Sequence, residues 1–195
     1  MMISARQRRT IETTMCWLVL VAVVCVAPLG CSRQGAKGVL EVQVKDHREA
    51  IGDFASAKIV VASIRVSPDV GFKFWQLGWI NLNPGLDSVD LTQFVGRTAA
   101  TIFKGNIDAG SYEALDLKLR GVNGILKKDS TPVSINNKLV PVAISFDATA
   151  GAVTKIILDL SVMDMSDHPP EAYELQLVGY EVYQNGKLIN KIPPG

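Results

Sequence analysis

The sequence predicts an all-β domain, an antiparallel two-sheet β-sandwich, standing behind an N-terminal signal or membrane helix. Three observations carry that expectation. Short runs of alternating or β-branched apolar residues recur about every 8 to 12 residues; Gly, Pro, Asn and Asp turns separate them; and no sustained helical period appears after residue 31.

The leader comes first. Arg6, Arg8 and Arg9 give it a positive start, residues 15 to 29 form an uncharged apolar run, and the small residue Gly30 stands directly before Cys31. Positive region, apolar core and small residue, in that order, are the layout of a cleaved secretory signal. A spanning helix needs about 17 to 25 apolar residues to cross ~30 Å of hydrocarbon, and this run falls short unless it recruits its polar flanks. Cleavage is therefore expected, with a retained membrane helix or plain secretion as the other two fates.

Pro28, Leu29, Gly30 and Cys31 resemble the lipobox of bacterial lipoproteins, where the cysteine thiol receives a diacylglyceryl group and the peptide is cut just before it. Gly30 and Cys31 match the pattern; Pro28 departs from the aliphatic residue usual three places before the cysteine. The resemblance implies cleavage after Gly30, lipid attachment at Cys31, and membrane lipid as a partner through the N-terminus. It also implies a place in the bacterial cell envelope, with the domain on the periplasmic or extracellular side. Acyl chains contribute about 0.8 kcal/mol per buried methylene, so a multiply acylated Cys31 holds a domain firmly at a membrane.

The first 31 residues hold three of the twenty basic and one of the nineteen acidic residues, which leaves seventeen against eighteen and a net charge of −1. A near-neutral domain has no basic field to gather nucleic acid, which is excluded as a partner. Residues 32 to 38 read as a polar tether and residues 39 to 195 as a single domain. A chain of that length buries about two-thirds of its unfolded surface, enough for a core without staples. All three cysteines, Cys16, Cys25 and Cys31, fall in or at the end of the leader, so the domain holds no disulfide.

Within the domain, Leu40, Val42 and Val44 alternate with Glu41, Gln43 and Lys45, as in a half-buried strand. Residues 46 to 56 read as a polar connection, and 58 to 66 as a more fully buried strand. Residues 72 to 79 hold Phe72, Phe74, Trp75 and Trp79. A short strand at 89 to 91 precedes a loop or helical turn, and 101 to 107 alternates again before a tight turn at 108 to 111. Residues 112 to 120 form the best amphipathic strand, with Leu115, Leu117 and Leu119 facing one way. Gly121 and Gly124 are read as breaking it. A small hairpin follows around residues 127 to 130, then strands at 140 to 146 and 154 to 162 joined by a hairpin loop at 147 to 151. The last long strand, 173 to 183, turns at Asn185-Gly186, a strong hairpin signal, and returns as 187 to 192.

Several pieces fall in an order that resembles an uncharacterised family of bacterial envelope domains, the domain of unknown function family 4382. They are residues 39 to 46, Trp75-Gln76-Leu77, Val89-Asp90-Leu91, Asp108-Ala109-Gly110-Ser111-Tyr112, residues 142 to 146, and the apolar stretch 156 to 160. The match covers roughly residues 38 to 162. It implies a β-sandwich of the immunoglobulin-like or transthyretin-like sort, commonly behind a lipoprotein signal, and no assigned activity. The motif residues also have mechanical roles: Gly110 as a permissive turn, and Tyr112 as a buried ring with a paired hydroxyl.

No catalytic constellation emerges. Nucleophilic catalysis needs a base beside the nucleophile and an orienting group; the two histidines, His47 and His168, lie in polar segments, and no Gly-x-Ser-x-Gly elbow is present. The domain lacks the Cys and His ligands a structural zinc site takes. Asp164, Asp167, His168 and Glu171 are oxygen-rich but lack the spacing of a calcium loop. No enzyme activity, cofactor or metal is expected. The aromatic stretch has two readings: Phe72, Phe74, Trp75 and Trp79 fill the space between the sheets, or they present flat faces to a sugar or a partner protein. The expected function is a non-enzymatic, membrane-anchored lipoprotein that offers its sandwich for protein interaction or structural support. The alternatives are an accessory subunit of a membrane-embedded complex, with the leader retained as a helix, and a carbohydrate-binding module.

Overall fold

The computed structural model describes residues 35–70, 78–167 and 172–193, which belong to one unit, Gly35–Gly195. Its strands are β1 (Lys37–Asp46), β2 (Phe54–Pro68), β3 (Ile80–Leu82), β4 (Ser88–Asp90), β5 (Ala100–Asp108) and β6 (Gly110–Leu126), then β7 (Pro132–Ser134), β8 (Asn136–Asn137), β9 (Val142–Ala148), β10 (Val153–Asp164), β11 (Tyr173–Gln184) and β12 (Lys187–Ile192). The first sheet runs β12-β11-β10-β1-β5 with β8 on β11; the second runs β3-β2-β6-β7 with β4 on β2 and β9 on β6. Two sheets face each other across one apolar core, so the expected all-β sandwich is what the chain forms.

The period of two in β1 sends Leu40, Val42 and Val44 inward, each fully buried. Across the core, Ile59, Val61, Ile64 and Val66 of β2 and Leu115 of β6 meet Ile156, Leu158 and Leu160 of β10. Each such side chain contributes about 1.5–3 kcal/mol by leaving water, which is how the domain holds without a disulfide. At the start of β6, Tyr112 stacks on Phe146 at 5.0 Å and donates its hydroxyl to the Asp108 carbonyl at 2.8 Å. Burial raises the pKa of this phenol.

Five details differ from the sequence expectation. The sheets are antiparallel except where β1 pairs with β10, Val39 opposite Val153 through Asp46 opposite Leu160, and where two residues of β8 pair with β11. Secondly, β6 does not break at Gly121 and Gly124 but runs on to Leu126. A Cβ at Gly124 would stand 2.3 Å from the Phe54 ring, so this glycine makes room for a core aromatic rather than ending the strand. Thirdly, β2 begins at Phe54, because that ring is buried there and meets Tyr173 edge-on at 4.8 Å; a 3-10 turn, Ala50–Asp53, occupies the preceding connection.

Fourthly, residues 147 to 151 form no hairpin, since β9 belongs to the second sheet and β10 to the first. The corner is closed by Gly151 N–H to the Lys37 carbonyl and Val39 N–H to the Ala152 carbonyl, at 3.0 and 2.9 Å. Fifthly, Gly110 starts β6 without a left-handed φ. The β11–β12 hairpin turns as expected, with Asn185 at φ 48° and Gly186 at φ 81°, the left-handed pair a type I′ turn demands.

Candidate functional site

The outer face of the first sheet carries a connected polar network. Lys45 of β1 stands opposite Asp159 of β10, and its ammonium lies 3.2 Å from that carboxylate and 3.5 Å from Glu181 of β11. Lys191 of β12 reaches Glu181 at 3.4 Å, and the Tyr183 hydroxyl donates to it at 2.5 Å. That phenol, helped by both lysines, holds Glu181 below the ordinary carboxylate range, while Tyr183 itself is pushed up. Toward β5, Glu41 accepts from Gln43 at 2.6 Å and Thr101 at 3.3 Å and pairs with Lys104 at 3.1 Å. Burial alone would raise Glu41, but these partners outweigh it and its pKa falls. An open depression of about 370 Å³ lies over this face, with Gln43, Lys45, Arg97, Lys155, Glu181 and Tyr183 among its walls.

Two carboxylates at the far end of β1 are less well served. Asp46 follows Val44 in the inward phase of the strand and is fully buried. Its Oδ1 accepts the Arg48 N–H at 2.8 Å, while Oδ2 has no hydrogen-bond partner, and neither has Oδ1 of the buried Asp159. Burial, with the Asp159 charge added to it, pushes Asp46 up to about 6 against the pull of the Arg48 and Val162 amides and His47.

His47 lies beside this pair, its Nδ1 3.5 Å from Asp159 Oδ2. The arrangement orients an imidazole on a carboxylate, as a catalytic base would be oriented. The Ser161 hydroxyl on the same strand, however, is buried and turned to the Met163 sulfur at 3.5 Å. What the described groups form is a chain of ion pairs that ties β1, β10, β11 and β12 together.

The second sheet presents a different outer face. Arg65 of β2 lies opposite Asp116 of β6, between the inward Ile64 and Val66. Its guanidinium donates to the buried Asp116 carboxylate through Nε at 2.9 Å and also through Nη2. Trp79, just before β3, lies with its ring 5.1 Å from the Arg65 guanidinium carbon. The ring is half-buried on the outside of the sheet, held by a cation–π contact. At the other end of this face a depression of about 470 Å³ runs over Lys58, Gly124, Ile125 and Val133.

The structure thus places Trp79 outside the core. Phe72, Phe74 and Trp75 lie outside the described residues, as do Gly30, Cys31, His168 and Glu171. Asp164 and Asp167 are exposed, and no group of three or more metal-binding side chains forms among the described residues. Among the described residues no helix is long and apolar enough to cross a membrane; the leader is not among them. Sequence reasoning missed Asp46 and Asp159. Asp46 had a readable signal, a carboxylate in the inward phase of an otherwise apolar series. Asp159 had none, because its ion-pair partner Lys45 lies on a strand more than a hundred residues away in the chain.

Two facing sheets with ion-paired outer surfaces and an outward tryptophan define an all-β sandwich domain. The chain belongs to the family described as Domain of unknown function (DUF4382), whose model matches residues 37–175. No curated protein and no solved structure matches the chain.

Proposed function

We propose that the chain is a non-enzymatic lipoprotein of the bacterial cell envelope, held at a membrane through an acylated Cys31 and presenting its sandwich on the periplasmic or extracellular side for protein interaction or structural support. The observation that carries the reading is the junction itself. An apolar run closes on Gly30-Cys31, and only five residues separate Cys31 from Lys37, the first residue of β1. What further supports it is that the titratable groups on the first sheet's outer face are engaged with one another, and the hydroxyl nearest in sequence to Asp159 is directed to the Met163 sulfur.

Growth with an alkyne-tagged fatty acid tests this. The parent chain takes up the tag and a Cys31→Ala variant does not; an untagged parent overturns the proposal and favours the accessory subunit with a retained leader helix. A carbohydrate-binding role has one observation of its own, the outward Trp79 ring over Arg65. It predicts glycan binding by the parent that Trp79→Ala and Phe74→Ala weaken, and it fails if the parent binds no glycan on an array.

A further inference from the structure

The end of the sandwich where β1 begins has two unlike corners. On the side of β5 and β9 it carries the exposed Asp108 and Asp147, with Lys37 3.9 Å from Asp108. On the side of β12 it is apolar and basic. Val153, Leu188 and Ile189 are 38, 45 and 48 % exposed. Leu188 stands opposite Tyr183, and Tyr183 opposite Lys155, so the three share one row of the outer face. The Lys155 ammonium lies 4.7 Å from the Tyr183 ring centre, and Lys187 next to Leu188 is exposed.

Exposed aliphatic residues are ordinary when scattered. These lie on neighbouring strands at the end of the first sheet where β1 begins. Val39 of β1 pairs with Val153 of β10 on one side, while on the other Lys37 stands opposite Asp108 and Ala36 accepts the Ala109 N–H at 2.7 Å, so the chain enters the fold between the two corners. Strands spaced about 4.8 Å apart put β12 only ~14 Å from β1. Six residue steps from Cys31 to Lys37 span at most about 20 Å, so an anchor at Cys31 cannot hold this end far from the lipid.

We propose that the corner formed by Val153, Tyr183, Leu188 and Ile189, with Lys155 and Lys187, rests on the headgroup layer of the bilayer that holds Cys31. This rests on the lipoprotein reading above. The aliphatic side chains and the Tyr183 ring enter the boundary between headgroups and acyl chains, the two lysines keep their ammonium groups among the headgroups, and the Tyr183 hydroxyl stays on Glu181. Anionic headgroups attract Lys155 and Lys187 and repel Asp108 and Asp147, a repulsion that Lys37 beside Asp108 offsets only in part. The charge difference between the corners therefore gives the sandwich a fixed tilt, with the β12 side down. Acylation supplies the affinity and the corner supplies the orientation, since a tethered surface needs only weak contacts to stay engaged.

The test uses the full chain expressed with its leader, purified from membranes and reconstituted in vesicles of phosphatidylethanolamine and phosphatidylglycerol. A nitroxide is attached through Leu188→Cys, and for comparison through Ser145→Cys on the exposed outer side of β9. The mass of each sample reports the state of Cys31. The proposal expects the label at 188 to gain relaxation by dioxygen, which partitions into lipid, and to lose relaxation by a water-soluble nickel chelate. The label at 145 stays accessible to the chelate. If Cys31 is acylated and both labels respond alike to the chelate, the corner faces water and the proposal is wrong while the tether stands. A label at 188 shielded from both reagents means that protein covers the corner, a second copy or a partner, and also refutes it. A mass showing an unmodified Cys31 overturns the lipoprotein reading, and the proposal with it.

Discussion

Asp46 makes the stability of this domain depend on pH in a way that one substitution isolates. Its carboxyl, fully buried at the end of β1, is pushed from 3.8 up to about 6. A carboxyl with a raised folded-state pKa binds its proton more tightly folded than unfolded. Its favourable contribution is complete below the unfolded value near 4 and is lost as pH rises through 6. The difference between the two values corresponds to about 3 kcal/mol. Asp46→Asn keeps an acceptor for the Arg48 N–H and cannot ionise.

Urea unfolding of parent and variant side by side, at pH 4, 6 and 8, reads the effect as the difference between the two. Glu41, Asp90 and Glu181, whose folded pKa values are lowered, lose their stabilising contribution as pH falls. They are common to both proteins and largely cancel. The stability of Asp46→Asn relative to the parent should rise by about 2.5 kcal/mol from pH 4 to pH 8, the remainder of the total having been lost below pH 4. A difference that stays constant, or that moves in favour of the parent as pH rises, refutes the assignment of a proton to Asp46.

Other substitutions probe the frame. Gly124→Ala drives a methyl into the Phe54 ring and should destabilise the domain by about 1–3 kcal/mol, read by chemical denaturation; a neutral result would mean that the ring has room to move. Tyr112→Phe removes only the hydroxyl bond to the Asp108 carbonyl and should lower stability by about 0.5–1.5 kcal/mol, whereas Tyr112→Ala, which also empties the ring's place on Phe146, should cost about 3–5 kcal/mol. Gly186→Ala places a side chain at φ 81° in the β11–β12 turn. It should destabilise by about 1 kcal/mol or more and speed amide exchange in β12 before that in β10.

Much of the frame is legible because it is local. The phase of Leu40, Val42 and Val44, the alternation in β5, and the Asn185-Gly186 turn each follow from a few neighbouring residues. The misreadings arise where distant residues decide. Gly121 and Gly124 look like punctuation until Phe54 is known to fill the space over Gly124. Small turn residues at 147 to 151 announce a reversal but do not say which sheet the next strand joins. The parallel pairing of β1 with β10 joins residues more than a hundred positions apart. Trp79 is the same kind of case: strand phase alone cannot choose between core and surface, and the choice is made by Arg65, itself held by Asp116.

The proposed function turns on the chemistry of one cysteine, Cys31. The intact mass of the protein extracted from native membranes tests it most directly. A lipoprotein yields a chain that begins at Cys31 and carries the added mass of a diacylglyceryl group, with any further acyl chain on its amino terminus. A chain that still begins at Met1, or one that begins at or after Cys31 with no lipid, would contradict it.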